Sequence, residues 1–294
     1  MKKVLLLGDS IRMGYDEFVK EELAGEFEVY YDELDNGRFA AYTLWQANQF
    51  FKKCGKFDVV HWNNGYWDMN IEAPMTEPLH PIGDYVTMLG RILAEIRKNG
   101  AVPVFATSVP ILPKDIAEEI RGEGMKPCNY DNAWVIKYND VAVSLMKNEG
   151  VMVNDLYSLC LKDKYFYKCP DLLHLTEEGY RQCAAQAAAA IRKAAGITMK
   201  LSEIFADRPE TWGYRGDPYF WDYLEKAAES ADVRSGDDLE AWIKSEFKKL
   251  TAKDLTADTT GHVKEFEHGG MSSGGIDGNW WIEEGIPLLR DRLK

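Results

Sequence analysis

The sequence predicts an α/β protein. A five-stranded parallel sheet sandwiched between helix layers occupies residues 1–198, and a small, mainly helical domain follows over 199–294. Two observations carry the first part. Short apolar runs alternate with amphipathic stretches, as in βα units. The first runs show no polar alternation, so they read as strands buried on both faces. One observation carries the second part: near residue 197 the strand pattern stops and an aromatic-rich stretch begins.

The elements follow in order. KKVLLLG (2–8) is a strand ending in glycine, and IRMGYDEFVKEELAG (11–25) a helix stopping at Gly25. FEVYYDEL (27–34) is a second strand and TLWQANQFFKKCG (43–55) a helix ending at Gly55. FDVVHWNN (57–64) is a third strand. In GDYVTMLGRILAEIRKNG (83–100), Val86, Leu89, Ile92, Leu93 and Ile96 line one helical face, with basic residues and Gly100 at the end. AVPVFATSVP (101–110), the helix WVIKYNDVAVSLMKNEG (134–150) and the strand VMVNDL (151–156) come next. The last helix is TEEGYRQCAAQAAAAIRKAAG (176–196), with Thr176 as N-cap and Glu177 and Glu178 at the positive dipole end. Beyond it, helices are expected at 218–231 and 237–250, a short strand at 262–270, and a final helix at 280–293 interrupted by Pro287.

Composition excludes several classes. A net charge of −13 disfavours nucleic acid and anionic membranes. Five cysteines (Cys54, Cys128, Cys160, Cys169, Cys183) form no CxxC pair, which suits reduced thiols better than a disulfide framework or a metal site. Only four apolar residues follow the basic N-terminus, too few for a signal peptide, and no run reaches membrane-spanning length. The expectation is a cytoplasmic protein acting on a small molecule or oligosaccharide, with no metal or cofactor. The oligomeric state is not legible.

In such sheets ligands sit at the carboxyl ends of the strands, where Ser10 of GDS lies. A serine nucleophile needs an imidazole base and a carboxylate to orient it. There are five histidines. His61 lies in an apolar strand, His80 between prolines, and His262 and His268 among polar and glycine residues. His174 lies just before the last helix in CPDLLHLTEEGY, with Asp171 three residues upstream. A tight turn at that spacing returns the carboxylate to one ring nitrogen and leaves the other free.

GDSI after the first strand and DLLH before the last helix, taken together, resemble the GDSL or SGNH hydrolases over about residues 2–195. The resemblance implies a flavodoxin-like three-layer fold and hydrolysis of esters. It casts Ser10 as nucleophile, Asp171 as orienting acid and His174 as base. It also implies an oxyanion hole from the Ser10 N–H, a glycine matched by Gly37 in ELDNGRFAAYTL, and an asparagine. The usual GxND block reads GYWD here, with Trp67 at the asparagine position. A branch acting on acetylated carbohydrates carries asparagine two residues before the glycine, which matches Asn63 in HWNNGYWD. Asn63 and Gly65 share a strand face, so Asn63 is the first candidate and Asn64 the second. GDSIRMGY, ATSVP and KYND are similar to the same branch. Asp68 reads as fixing the loop.

For substrate contact, Trp67, Tyr66 and Arg38 are the candidates, with Trp45, Trp62 and Trp134 also near the site; large aromatics serve cores as well as pockets. The reading is an esterase for short, above all acetyl, esters on a carbohydrate. The alternatives are a lipase or thioesterase with the same triad, and a non-catalytic binding module. EHGGMSSGGIDGNWW (267–281) lacks a phosphate-loop ending and reads as a connector.

Overall fold

In the computed structural model, residues 1–113, 131–168, 171–197, 199–205, 217–233, 236–258, 260–261 and 276–292 are described. The chain divides into two units, Met1–Ala195 and Gly196–Lys294.

In the first unit, β1 (Lys2–Leu7) is central, with Val4, Leu5, Leu6 and Leu7 buried. It pairs in parallel with β2 (Phe27–Tyr30) on one side and β3 (Val59–Asn63) on the other. β4 (Val102–Ala106) and β5 (Met152–Asn154) extend the sheet in parallel. The order β2-β1-β3-β4-β5 is the flavodoxin-like one, with its switch point between β1 and β3. Leu7 pairs with Trp62, so Gly8 and Asn63 leave the sheet side by side at that point.

α1 (Ser10–Glu22) packs against α7 (Glu177–Ala194). Gly14 makes this approach possible, because a β-carbon there would lie 2.1 Å from the Tyr180 ring. α2 (Ala40–Cys54), α4 (Ile82–Asn99) and α5 (Asn132–Asn148) pack in sequence, with the short α3 (Tyr66–Met69) against α5. The α4 stripe buries Leu89, Ile92, Leu93 and Ile96; Tyr85 completes it in place of Val86. Thr176 caps α7 by accepting the Gly179 N–H at 3.2 Å.

The strands are shorter than the apolar runs. After β2, Asp32 Oδ1 accepts the N–H groups of Leu34 and Asp35 at 3.0 and 2.9 Å and turns the chain. After β5, Asp155 accepts the Ser158 N–H at 3.0 Å and starts α6 (Leu156–Cys160). α2 starts at Ala40, three residues earlier than its own sequence signals, because a remote carboxylate, Asp68, accepts the Ala40 N–H at 2.8 Å.

The second unit has its own core. α8 (Leu201–Phe205), α9 (Pro218–Ala228), α10 (Gly236–Thr251) and a helical run over 278–291 surround Phe220, Trp221, Phe247 and Trp281, all fully buried. Two short antiparallel pairs join them: β6 (Met199–Lys200) with β7 (Asp232–Val233), and β8 (Thr260–Gly261) with β9 (Ile276–Asp277). The final run widens to π geometry over Trp281–Gly285 just before Pro287. Proline lacks an N–H and crowds the carbonyl four residues earlier; a wide turn relieves both. The expected strand at 262–270, His262, His268 and most of the glycine-rich segment lie outside the described residues. Among the described residues, no helix is long and apolar enough to cross a membrane.

Candidate active site

Ser10 is the first residue of α1, with Asp9 as N-cap accepting the Ile11 N–H at 3.0 Å. The N–H groups of a first helical turn have no intrahelical acceptor, so the Ser10 N–H joins a positive end facing the carboxyl edge of the sheet. Gly8 allows this geometry. Its φ of 150° is one that residues with side chains rarely adopt, and a β-carbon there would sit 1.8 Å from Asn63 Oδ1.

The structure brings Ser10, His174 and Asp171 into one hydrogen-bonded chain. Ser10 Oγ lies 2.8 Å from His174 Nε2, and His174 Nδ1 lies 2.7 Å from Asp171 Oδ2. The DxxH turn explains itself locally. Asp171 Oδ1 accepts the N–H groups of Leu173 and His174 at 3.1 and 3.0 Å, which folds the chain back on the carboxylate. Leu172 takes φ 59° to make the turn, and its carbonyl is held by the Leu112 N–H at 2.9 Å. Partial burial works against the charge on Asp171. The hydrogen bonds from His174 and Leu173 outweigh it and hold the carboxyl below the usual range.

Around the serine, Asn63 is buried beside Gly8 and Asp9. Burial raises the Asp9 pKa and the Asn63 amide moderates the rise, although neither Asp9 Oδ2 nor Asn63 Oδ1 has a partner in hydrogen-bond geometry. Asn64 is fully buried and points elsewhere: its Nδ2 donates to Thr43 Oγ1 at 2.8 Å and to the Arg38 carbonyl at 3.2 Å. It ties the turn before α2 and the first turn of that helix to the end of β3, and both N–H groups of its side chain are engaged there.

Two expectations are corrected. The Gly37 N–H, assigned by resemblance to an oxyanion, donates to the Gly8 carbonyl at 2.7 Å. Gly37 is instead a point of backbone approach, since a β-carbon there would lie 2.5 Å from Gly8 O. Tyr66 is buried and its hydroxyl donates to the Val109 carbonyl, so it is closed to substrate. Trp62 is likewise fully buried, whereas Trp67 and Trp45 are exposed. Arg38 keeps φ 50°, and its guanidinium pairs with Asp35 at 3.1 Å.

Sequence reasoning missed two supports. Arg12, fully buried, pairs with Asp16 at 2.5 Å and donates to the carbonyls of Asp32 and Asp35, both at 2.9 Å. It anchors the loop that leads to Gly37; its one sequence signal is a charge among apolar neighbours on α1. The other is His80, whose Nδ1 lies 2.6 Å from Asp68 Oδ1.

The doubly wound parallel sheet thus places a serine after its first strand and a histidine–aspartate pair before its last sandwich helix. No family model matches this chain, and no curated protein matches it. Among solved structures, it is similar to a GDSL-like lipase from Bacteroides thetaiotaomicron VPI-5482, at 15% identity over 66% of this chain and 88% of that one, with a TM-score of 0.48. It is similar to LAE5, an α/β hydrolase enzyme from the metagenome of Lake Arreo, at 15% identity over 67% and 95%, with a TM-score of 0.49. It is also similar to the psychrotrophic esterase EstA from Pseudoalteromonas sp., at 11% identity over 66% and 98%, with a TM-score of 0.48.

Proposed function

We propose that this protein is a serine hydrolase that cleaves esters through an acyl-enzyme, and that its substrates are short, above all acetyl, esters of a carbohydrate. The unbroken Ser10–His174–Asp171 chain carries the hydrolase part of the reading. The GDSI and DLLH motifs and the Asn63 position support the ester and carbohydrate parts by resemblance.

Asp171 accepts a hydrogen bond from the Nδ1–H and stays ionised, which leaves Nε2 as the base. His174 Nε2 takes the Ser10 proton while Oγ attacks the ester carbonyl. Negative charge develops on the carbonyl oxygen and meets the Ser10 N–H and the Asn63 amide; such a donor contributes about 3 kcal/mol in the transition state. The imidazolium gives its proton to the departing alkoxide, and the alcohol leaves. Water, deprotonated by the same nitrogen, attacks the acyl-serine, and the acid leaves as Oγ recovers the proton.

The test is acetate release from 4-nitrophenyl acetate and from acetylated xylo-oligosaccharides, wild type against Ser10→Ala. Turnover of both, lost in the variant, is expected. Turnover of the small ester alone rejects the carbohydrate. Preference for long acyl chains across a length series favours a lipase or thioesterase. Turnover that survives Ser10→Ala rejects Ser10 as the nucleophile; no turnover by the wild type on any ester rejects the hydrolase and favours a binding module.

A further inference from the structure

α2 carries an exposed aromatic stack that begins beside the Gly37 turn. The rings of Tyr42 and Trp45 lie 5.4 Å apart and 29° from parallel. The Arg38 guanidinium covers the Tyr42 ring at 4.5 Å. Trp45 is 54% exposed. The α2 face that packs inward uses Ala40, Thr43, Gln46 and Ala47, so the stack is not part of that packing. Leaving so large a ring in water forgoes the gain from burying it.

Asp35 organises the rim of the stack. Its carboxylate accepts the Tyr42 hydroxyl, Gln46 Nε2 at 3.2 Å and Arg38 Nη2 at 3.1 Å. The platform is therefore a fixed aromatic face bordered by fixed polar groups. Its position follows from the backbone. Gly37 is bonded to the carbonyl of Gly8, two residues before Ser10, and Arg38 comes next. Trp45 lies five residues beyond Ala40, about 7.5 Å of helix rise.

We infer that Arg38, Tyr42 and Trp45 form a subsite for a pyranose ring, the alcohol side of the ester; this rests on the carbohydrate reading above. A pyranose presents an apolar C–H face and a rim of hydroxyl groups. The C–H face covers the indole, and the hydroxyls reach the remaining guanidinium donors of Arg38. An acyl chain is a poorer occupant, because hydrocarbon laid there desolvates the Asp35–Arg38 pair without offering it a hydrogen bond.

Calorimetric titration tests this without turnover. The probes are unacetylated xylo-, manno-, cello- and chito-oligosaccharides against wild type, Ser10→Ala, Trp45→Ala and Trp45→Phe. At least one oligosaccharide is expected to bind wild type and Ser10→Ala alike. Trp45→Ala is expected to weaken it tenfold or more, and Trp45→Phe to restore part of that loss. The ratio of kcat/KM on the acetylated oligosaccharide to that on 4-nitrophenyl acetate should fall in step. Wild type that binds none of the four, or Trp45→Ala that binds as tightly as wild type, overturns the subsite. Sugar binding without ester turnover in wild type rejects the hydrolase reading and leaves the subsite standing.

Discussion

His80 Nδ1 lies 2.6 Å from Asp68 Oδ1, and the same oxygen accepts the Ala40 N–H at 2.8 Å. One fully buried carboxylate thus joins α3, the loop before α4 and the first turn of α2. The His80 backbone is tied in as well: its N–H donates to the Asp68 carbonyl at 2.9 Å, and its own carbonyl accepts the Tyr138 hydroxyl at 2.8 Å. Removing one partner of a buried pair leaves the other uncompensated. Asp68→Ala should cost about 3 kcal/mol and His80→Ala about 2 kcal/mol in urea unfolding. The double variant should show a coupling of about 1 kcal/mol or more. Purely additive losses would mean that the pair is not a unit.

Asp171 has two tasks, and one substitution separates them. Oδ1 holds the turn through two backbone N–H groups, while Oδ2 orients His174. In Asp171→Asn the amide oxygen can keep the turn, but its NH2 then faces Nδ1 and forces the wrong tautomer. The variant is expected to fold with unchanged far-UV spectrum and to lose about a thousandfold or more in kcat. Asp171→Ala loses the turn too and should fall further. Near-wild-type kcat in Asp171→Asn would remove Asp171 from the triad.

Asn63 and Asn64 are adjacent in sequence and opposite in role. Asn63→Ala should lower kcat about a hundredfold with little change in stability. Asn64→Ala removes the donor to Thr43 and Arg38, so it should lower stability by about 2 kcal/mol and impair activity only through the turn it holds. Kinetics and urea unfolding of both variants decide the matter, and the opposite pattern would exchange the assignments.

What was legible in the residues themselves shares one property: it is local; the meeting of Ser10 with His174, far along the chain, was implied only by the resemblance. The β1 run is apolar without interruption because the strand is central, and the DxxH turn closes within four residues. The strand ended by GDS and the helix capped by Thr176 are each set by neighbours in the chain. The illegible bonds join segments whose meeting depends on sheet register. Gly37 donates to Gly8 because the loop after β2 crosses the end of β1, and no feature of NGRF announces that acceptor. His80 meets Asp68 across a loop whose path its prolines shape but do not reveal. Tyr66 stands one residue from Trp67 with opposite exposure, since a single turn of helix sends one ring inward and the other out.

His61 makes stability depend on pH. It is fully buried in β3, with Nε2 3.0 Å from Asn154 Nδ2, and Asn154 Oδ1 accepts Gln186 Nε2 at 2.7 Å. The ring therefore accepts from the amide and is neutral. Burial lowers its pKa to about 4 from the usual 6.5. Below 6.5 the unfolded chain takes up a proton that the folded one refuses until about pH 4. Stability thus falls as pH drops through that window, by at most about 3 kcal/mol. Above 6.5 the imidazole is neutral in both states and the effect vanishes. His61→Gln removes the titration while keeping a side chain that can accept from Asn154. Between about pH 7.5 and pH 4.5, wild type should lose about 2 kcal/mol more unfolding free energy than the variant. Taking the difference cancels the carboxylates, which titrate alike in both proteins. Parallel stability profiles for the two would show that His61 already carries a proton, or finds water, in the folded state.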